Sequence, residues 1–417
     1  MNLKPIKQIA TKAKAASIPL SVLSTEKKNQ ALNAMAEALL QHEALIIREN
    51  LKDIRSANEK RTPPSLISRL TLDSAKIKKI ADSLSAIAKL RDPVGRVISA
   101  HKRPNGLLIK KIGVPIGVIL IIYESRPNVT VDCMALCLKS GNSVILKGGS
   151  EALHSNRAIF NVLEKSAVKA GVPRGAFQLV SKSGRETVKE LLNLPALINL
   201  VIPRGGESLI REVVKVSKIP VIKHYRGVCH VFIDKDADFE KSKAIVLNAK
   251  VQNPGVCNAM ETLLVHRSVA REFLPGICSK LEEAGVELRG DDATRSIIRG
   301  IKKAVEEDWH SEYLDLILSI RVVKNFEDAL RHIQKYGTQH SDAIVTENPK
   351  TAGRFTQTVD SACVFVNCST RFNDGGEFGM GAEMGISTDK LHARGPMGLE
   401  ELTSYKYVVI GDGQTRS

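Results

Sequence analysis

Between Gly117 and Lys218 short apolar runs alternate with amphipathic ones, and this alternation restricts the fold more than any other feature of the chain. Residues 117–123, 143–149, 176–181 and 197–203 read as strands. Residues 129–141, 150–171, 184–195 and 207–218 read as helices, the first ending at Gly141 and the second starting at Ser150 as N-cap. Strand and helix in succession predict a parallel sheet with helices on both faces. Ligands of such sheets bind at the carboxyl ends of the strands, so the turns there deserve the closest reading. A second alternating block, from Val231 to Val366, predicts a second domain of the same class.

The rest of the chain fits around these blocks. Residues 28–60 and 74–90 carry apolar side chains at helical spacing, with Pro63 and Pro64 breaking the run between them and Asp92-Pro93 ending it. Pro104-Asn105-Gly106 predicts a hairpin over residues 95–115, with polar arms that either project as an oligomerisation device or pack on their own domain. The tail from 367 to 417 is rich in glycine and returns to a strand-like SYKYVVIG.

A chain of 417 residues has room for about two or three domains. The longest apolar run, Gly113 to Tyr123, is too short to span a bilayer and contains Pro115. No signal-peptide h-region is present, so neither secretion nor a membrane is expected. The seven cysteines are odd in number and lack CxxC spacing, which predicts a reducing, cytoplasmic setting, no disulfides and no metal site. The net charge of +16 comes from basic residues scattered among acids, and aromatics are only 4%. That is poor material for nucleic-acid binding, whereas a basic surface concentrates small anions.

One segment, Asn248 to His266, points to covalent chemistry. Cys257 follows the Pro254-Gly255 turn and precedes the apolar run Thr262 to Val265, which reads as a buried strand. A nucleophilic thiol is well held on such a turn, but only the thiolate attacks. The alternative is a small core cysteine. Asn128, beside Pro127 and just after a strand, suits an oxyanion donor or a helix cap. Lys147-Gly148-Gly149-Ser150 follows the next strand and suits a phosphate or ribose. Pro203 to Leu209 repeats the design with Gly205 and Gly206, yet it is neither GxGxxG nor a Walker motif.

Together these segments resemble the aldehyde dehydrogenase superfamily. YESRPNVTVD (123–132), VILKGG (144–149), LVIPRGG (200–206), VCN (256–258) and residues 323–344 carry the resemblance, as does the tail 365–407. The 323–344 unit, with His332, Tyr336, His340, Ser341 and Asp342, fits the branch that reduces an acyl phosphate. The resemblance implies an α/β, aldehyde dehydrogenase-like fold of two doubly wound α/β domains plus a small β oligomerisation element. Residues 1–94 and 116–230 would bind NADPH, and 231–366 would form the catalytic domain. Residues 95–115 and 391–417 would form the oligomerisation hairpin and C-terminal strand, with 367–390 as a glycine-rich return segment.

The resemblance also implies roles. Cys257 would attack L-glutamyl 5-phosphate, expel phosphate and form a thioester, and NADPH would reduce it to glutamate 5-semialdehyde, the second step of proline synthesis from glutamate. Asn128 and the Cys257 backbone N–H would hold the oxyanion. Lys147 and Ser150 would grip the cofactor ribose and its phosphate, with the pyrophosphate at Gly205 and Gly206. Arg126, Arg371 and the run Gly375 to Gly381 are candidates for the substrate carboxylate, Glu124 and Asp132 for its amino group, and His340 and His392 for phosphate. A homodimer or homotetramer is implied, and a functional association with glutamate 5-kinase is conceivable, although no part of the chain resembles a kinase. Hydrolytic members use a glutamate before the catalytic strand as general base. The corresponding stretch here, Lys223 to His230, has no carboxylate; His224 or His230 can in principle replace it, but the simpler expectation is that water is kept from the thioester, which argues against a hydrolytic enzyme.

Overall fold

The computed structural model describes residues 5–124, 126–182 and 184–416. Ser125, within the YESRPNVTVD segment, lies outside them, as do residues 1–4, Ser183 and Ser417. The chain folds into two compact units, one of residues 1–223, 379–385 and 397–417, the other of 224–378 and 386–396.

The first unit begins with helices α1 (Pro5–Leu20), α2 (Thr25–Gln41), α3 (Glu43–Glu59), α4 (Pro64–Leu70) and α5 (Ser74–Lys89). Pro63 and Pro64 do more than interrupt: they start α4, where a missing N–H costs nothing. Strands β1 (Val97–Lys102) and β2 (Leu108–Pro115) then form the hairpin, and the C-terminal strand Thr403–Ile410 pairs antiparallel with β2. Hairpin and C-terminal strand thus make one three-stranded sheet. It exposes Val97, Ile98, Tyr405, Tyr407, Val409 and Ile410.

Next come β3 (Val118–Tyr123), α6 (Asn128–Lys139), β4 (Ser143–Gly148), α7 (Leu153–Lys169), β5 (Phe177–Leu179), α8 (Arg185–Leu192), β6 (Leu200–Arg204) and α9 (Glu207–Val216). The strands form a parallel sheet in the order β5-β4-β3-β6. Successive strands run outward from β3 and then jump back to its other side. This puts the topological switch point between β3 and β6, where ligands of open α/β sheets bind. Ser150 is not the N-cap of α7. It opens a short 3₁₀ turn, Ser150–Ala152, and α7 starts at Leu153 with no side-chain cap of its own. Asp53 of α3 supplies that cap, accepting the His154 and Ser155 N–H groups at 3.2 and 2.8 Å and the Ser155 hydroxyl at 2.6 Å.

The second unit contains β7 (Cys229–Ile233), α10 (Phe239–Val251), β8 (Met260–His266), α11 (Arg267–Glu283), β9 (Glu287–Gly290), α12 (Asp292–Ile297), β10 (Lys302–Lys303), α13 (Glu306–Trp309), β11 (Ile317–Val323), α14 (Phe326–Tyr336), β12 (Ser341–Val345), α15 (Pro349–Thr358) and β13 (Cys363–Val366). Its sheet has seven parallel strands in the order β10-β9-β11-β8-β7-β12-β13. Alternate residues of the central strands face opposite layers, as the pleat requires. Val231, Ile233, Leu263 and Val265 pack with α10 and α11, whereas Phe232, Leu264 and Ile344 pack with Phe326, Leu330 and Phe355.

The expected boundary between residues 230 and 231 is therefore corrected. It would cut β7, whose His230 pairs with Thr262 and Asp342, so the division falls at 223/224. The expected return segment 367–390 is likewise divided, since 379–385 belongs to the first unit and the rest to the second. The short antiparallel pair Ile386–Ser387 and Gly395–Pro396 keeps 391–396 in the second unit, and the C-terminal element starts at 397. Among the described residues no helix is long and apolar enough to cross a membrane.

Asp53 is buried, so its loss strands donors at the start of α7. Asp53→Ala is expected to destabilise the protein by about 1–3 kcal/mol, seen as a lower urea midpoint at unchanged slope. A shift within a few tenths of a kcal/mol would rule this cap out as a determinant of stability.

Candidate active site

Cys257 ends the turn that leads into β8 and is held from both sides. On one side the backbone of Gly227 presses so closely that a Cβ there would lie 1.9 Å from the Cys257 carbonyl oxygen. Only glycine permits this approach. The Cys229 thiol donates to the same carbonyl at 3.2 Å. On the other side Asn258 is tied down: its carbonyl accepts from Thr370 Oγ1 at 2.7 Å, and its amide donates to the Asn373 carbonyl at 2.9 Å.

Two imidazoles meet the sulfur. Ligand atoms of His224, Cys257 and His340 all lie within 4.8 Å of one another, and the two rings meet edge to face at 5.3 Å. His224 Nδ1 is 2.7 Å from the Ile386 carbonyl, which can only accept, so Nδ1 carries a proton and Nε2 is bare in the neutral ring. Burial alone would push the Cys257 thiol up. The charge of His340 and the approach of both imidazoles outweigh it and hold Cys257 well below the usual thiol range. Cys278 is pushed up to about 12 by burial, and Cys229, although 3.7 Å from His340 Nδ1, is pushed up by burial and by the nearby charges of Asp342, Cys257, Glu261 and Glu312. The direction of its shift sets Cys257 apart from both.

A carboxylate also reaches the site, from a part of the chain that the sequence reading passed over. Glu312 accepts the Gly227 N–H at 2.9 Å, and burial raises its pKa, with the Cys257 charge adding to the rise. The loop that carries it is anchored by a 3.2 Å bond from the Leu314 N–H to Glu261, which forms a buried 2.6 Å ion pair with Lys250 of α10. Arg371 stands beside the same turn, donating to Gln252 at 2.8 Å and to Asn258, and the charge of Cys257 acts on it. His230 is excluded as a replacement base: it is fully buried and bonded to Asp342 at 2.8 Å. His392 lies in the loop between the short antiparallel strands, outside the Cys257 group.

The run Gly375 to Gly381 is divided between the units after Phe378, and the remaining candidates lie in the first unit. Asn128 is the first residue of α6, and its amide donates to Asp132 at 3.2 Å. Burial raises Asp132 to about 6, so this carboxyl sits close to its proton. Arg126 is half-buried just ahead of α6, and its carbonyl accepts the Val129 N–H. Lys147 is buried, which lowers its pKa, and it donates to the Gly148 carbonyl at 2.7 Å. Ser150 begins the 3₁₀ turn, and the carboxylate of Glu151 lies over Gly149.

Glu124 meets the start of α9, accepting the Gly206 N–H at 2.9 Å, and a Cβ on Gly205 would come within 2.3 Å of it. It therefore acts here as a turn and helix-start partner. The ten-residue helix α9 already receives an anion at its N-terminus, at the switch point of the sheet. A phosphate oxygen has the same charge and accepts the same bonds, so the donor set fits a pyrophosphate.

The chain matches the Aldehyde dehydrogenase family over residues 2–298. It is 55% identical over 407 residues to Gamma-glutamyl phosphate reductase of Caldanaerobacter subterraneus subsp. tengcongensis, covering 98% of each chain. It is 54% identical over 411 residues to Gamma-glutamyl phosphate reductase of Geobacter metallireducens, covering 99% of this chain and 98% of that one. Among solved structures, Gamma-glutamyl phosphate reductase from Thermotoga maritima superposes with a TM-score of 0.97 at 45% identity, covering 99% of this chain and 100% of that one.

The depressed thiol is measurable. Alkylation of Cys257 by iodoacetamide, followed by peptide mass spectrometry, should reach half its maximal rate well below the midpoint of a free thiol, about pH 8.5. Below its own pKa the thiol protonates and the rate falls. His340→Gln should move the midpoint upward by a pH unit or more, whereas an unmoved midpoint would show that His340 does not stabilise the thiolate.

Proposed function

The chain belongs to the γ-glutamyl phosphate reductases of the aldehyde dehydrogenase family, and on that premise we propose that it reduces L-glutamyl 5-phosphate to L-glutamate 5-semialdehyde and phosphate with NADPH, the second step of proline synthesis from glutamate. The observation that carries this reading is an activated Cys257 between His224 and His340.

The Cys257 thiolate attacks the acyl carbon of the substrate. Its S–C bond forms as the C–O bond to phosphate breaks, and phosphate leaves as the stable anion. His224, with Nδ1 held by the Ile386 carbonyl, presents Nε2 for the thiol proton before attack. The Cys257 backbone N–H and the Asn128 amide act as donors to the developing oxyanion. When bound, NADPH would supply a hydride to the thioester carbon, giving the hemithioacetal oxyanion that the same donors would hold. As that oxyanion reforms the C=O bond the C–S bond breaks, and the thiolate returns to the state that the histidines stabilise.

The first unit serves as the cofactor domain and the second as the catalytic domain. Lys147 and Ser150 meet the ribose end of the cofactor, and Gly205 and Gly206 admit the pyrophosphate in place of the Glu124 carboxylate. Arg371, beside the nucleophile, is the stronger candidate for the substrate carboxylate, and Arg126 is a second. The exposed apolar and aromatic side chains of the three-stranded sheet support a homo-oligomer, a dimer or a tetramer. Seven cysteines, an odd number with no CxxC spacing, support a reducing cytoplasm. The reactivity of an acyl phosphate in water gives a reason for functional association with the glutamate 5-kinase that would make it.

Glu312 supports a second reading. A carboxylate near the thioester is the part a hydrolytic aldehyde dehydrogenase needs, and its presence removes the argument from the stretch Lys223 to His230. Phosphate dependence separates the two. With glutamate 5-semialdehyde and NADP⁺, reduced cofactor should form only when inorganic phosphate is present. Turnover without phosphate would mean that water resolves the thioester and would overturn the reductase reading. Cys257→Ala should abolish turnover while NADPH binding, followed by cofactor fluorescence, persists. Asn128→Ala should lose roughly 10²–10³ in kcat, as for one oxyanion donor, and a near-normal rate would make Asn128 a helix-start residue only.

A further inference from the structure

We propose that His224, Cys257 and His340 form a site for a thiophilic divalent cation of the zinc class, whose binding masks the nucleophile and stops turnover reversibly. The inference rests on Cys257 being the nucleophile only for its effect on turnover. Binding itself follows from the donor set.

One thiolate and two imidazoles are a donor combination of catalytic zinc sites, with a fourth position left to water. The three ligand atoms lie within 4.8 Å of one another before any metal arrives. A tetrahedral zinc with a sulfur at about 2.3 Å and nitrogens at about 2.0–2.1 Å sets ligand separations of roughly 3.3–3.6 Å, so a closure of at most about 1.5 Å completes the site. The ligands come from the segment before β7, the turn before β8 and the residue before β12, each fixed by its neighbours.

The groups behind the ligands are also in place. A metal-bound imidazole usually donates its other N–H to an oxygen, which fixes the tautomer. His224 Nδ1 does this to the Ile386 carbonyl at 2.7 Å. His340 Nδ1 lies 2.8 Å from Ser341 Oγ and 3.7 Å from Cys229 Sγ. The Cys229 proton is directed to the Cys257 carbonyl, so this sulfur is available as an acceptor. His340 is fully buried and its Nε2 has no hydrogen bond of ordinary length, which leaves a nitrogen lone pair for a ligand. A cation there would take over the place of the proton shared by thiol and imidazoles, and the same sulfur could not then attack an acyl carbon.

The test uses the full-length enzyme and separates binding from catalysis. Anaerobic titration with Co²⁺ should give a sulfur-to-metal charge-transfer band that saturates at one ion per chain and vanishes when Zn²⁺ displaces it. Cys257→Ser should abolish the band. His224→Gln and His340→Gln should each raise the dissociation constant by at least about tenfold. Cys363→Ser and Cys368→Ser should leave it unchanged. Zn²⁺ should inhibit turnover and block iodoacetamide at Cys257, and a chelator should restore both. Equal Zn²⁺ affinity in Cys257→Ser, or in both histidine variants, would overturn the site. A metal-free Cys257→Ala enzyme that still turned over would instead refute the nucleophile and leave the binding result standing.

Discussion

An ionised thiol removed from bulk water sets the terms for the second unit. Burial favours the neutral thiol, so the anion persists only where nearby charge and hydrogen-bond donors outweigh that cost. His340 and His224 provide both at Cys257, and each unit by which they lower its pKa favours thiolate over thiol by about 1.4 kcal/mol. Cys278 of α11, buried without such help, shows the opposite outcome and is pushed up to about 12. Coulombic help falls off with distance, so the sulfur must be fixed. The Gly227 contact, the Cys229 thiol and the Asn258 anchors to Thr370 and Asn373 supply that fixation.

The first unit meets a related electrostatic demand with the opposite sign. The start of α9 presents unsatisfied N–H groups at the switch point of its sheet, and these call for an anion. Glu124 answers from within the chain. An incoming pyrophosphate must displace it, so the affinity of this helix start for a nucleotide is the difference between two anions and not the full strength of either. Lys147, buried and bonded to its own backbone, is likewise held close to the turn and does not extend into solvent.

Much of this was legible because it is local. Apolar runs of strand length, glycine after β4 and β6, and a cysteine on a turn before a buried strand are patterns within about twenty residues, and each marks an element or turn that the structure contains. What escaped depends on partners far apart in sequence. Asp53 caps a helix 101 residues away, and no local rule nominates it over Ser150. His340 was visible in its motif but was read as a phosphate contact, because its pairing with His224 and Cys257 exists only after β7, β8 and β12 align. The boundary at 230 failed for a similar reason, since β7 is completed by strands on both sides that come later in the chain.

Glu312 shows why the absence of a residue from a motif is weak evidence about a site. The stretch from Lys223 to His230 has no carboxylate, yet an oxygen from residue 312 lies against its backbone. Proximity does not make this group a base, however. One oxygen already accepts the Gly227 N–H, the contact that steadies the backbone pressed on Cys257. To take a proton from water, Glu312 must do so while its loop stays anchored to Glu261 and Lys250. Its raised pKa makes it a better proton acceptor than an exposed glutamate but leaves less of it ionised. A strut and a base thus place opposing demands on one carboxylate, and an enzyme that must keep water from its thioester until hydride arrives gains from the strut alone.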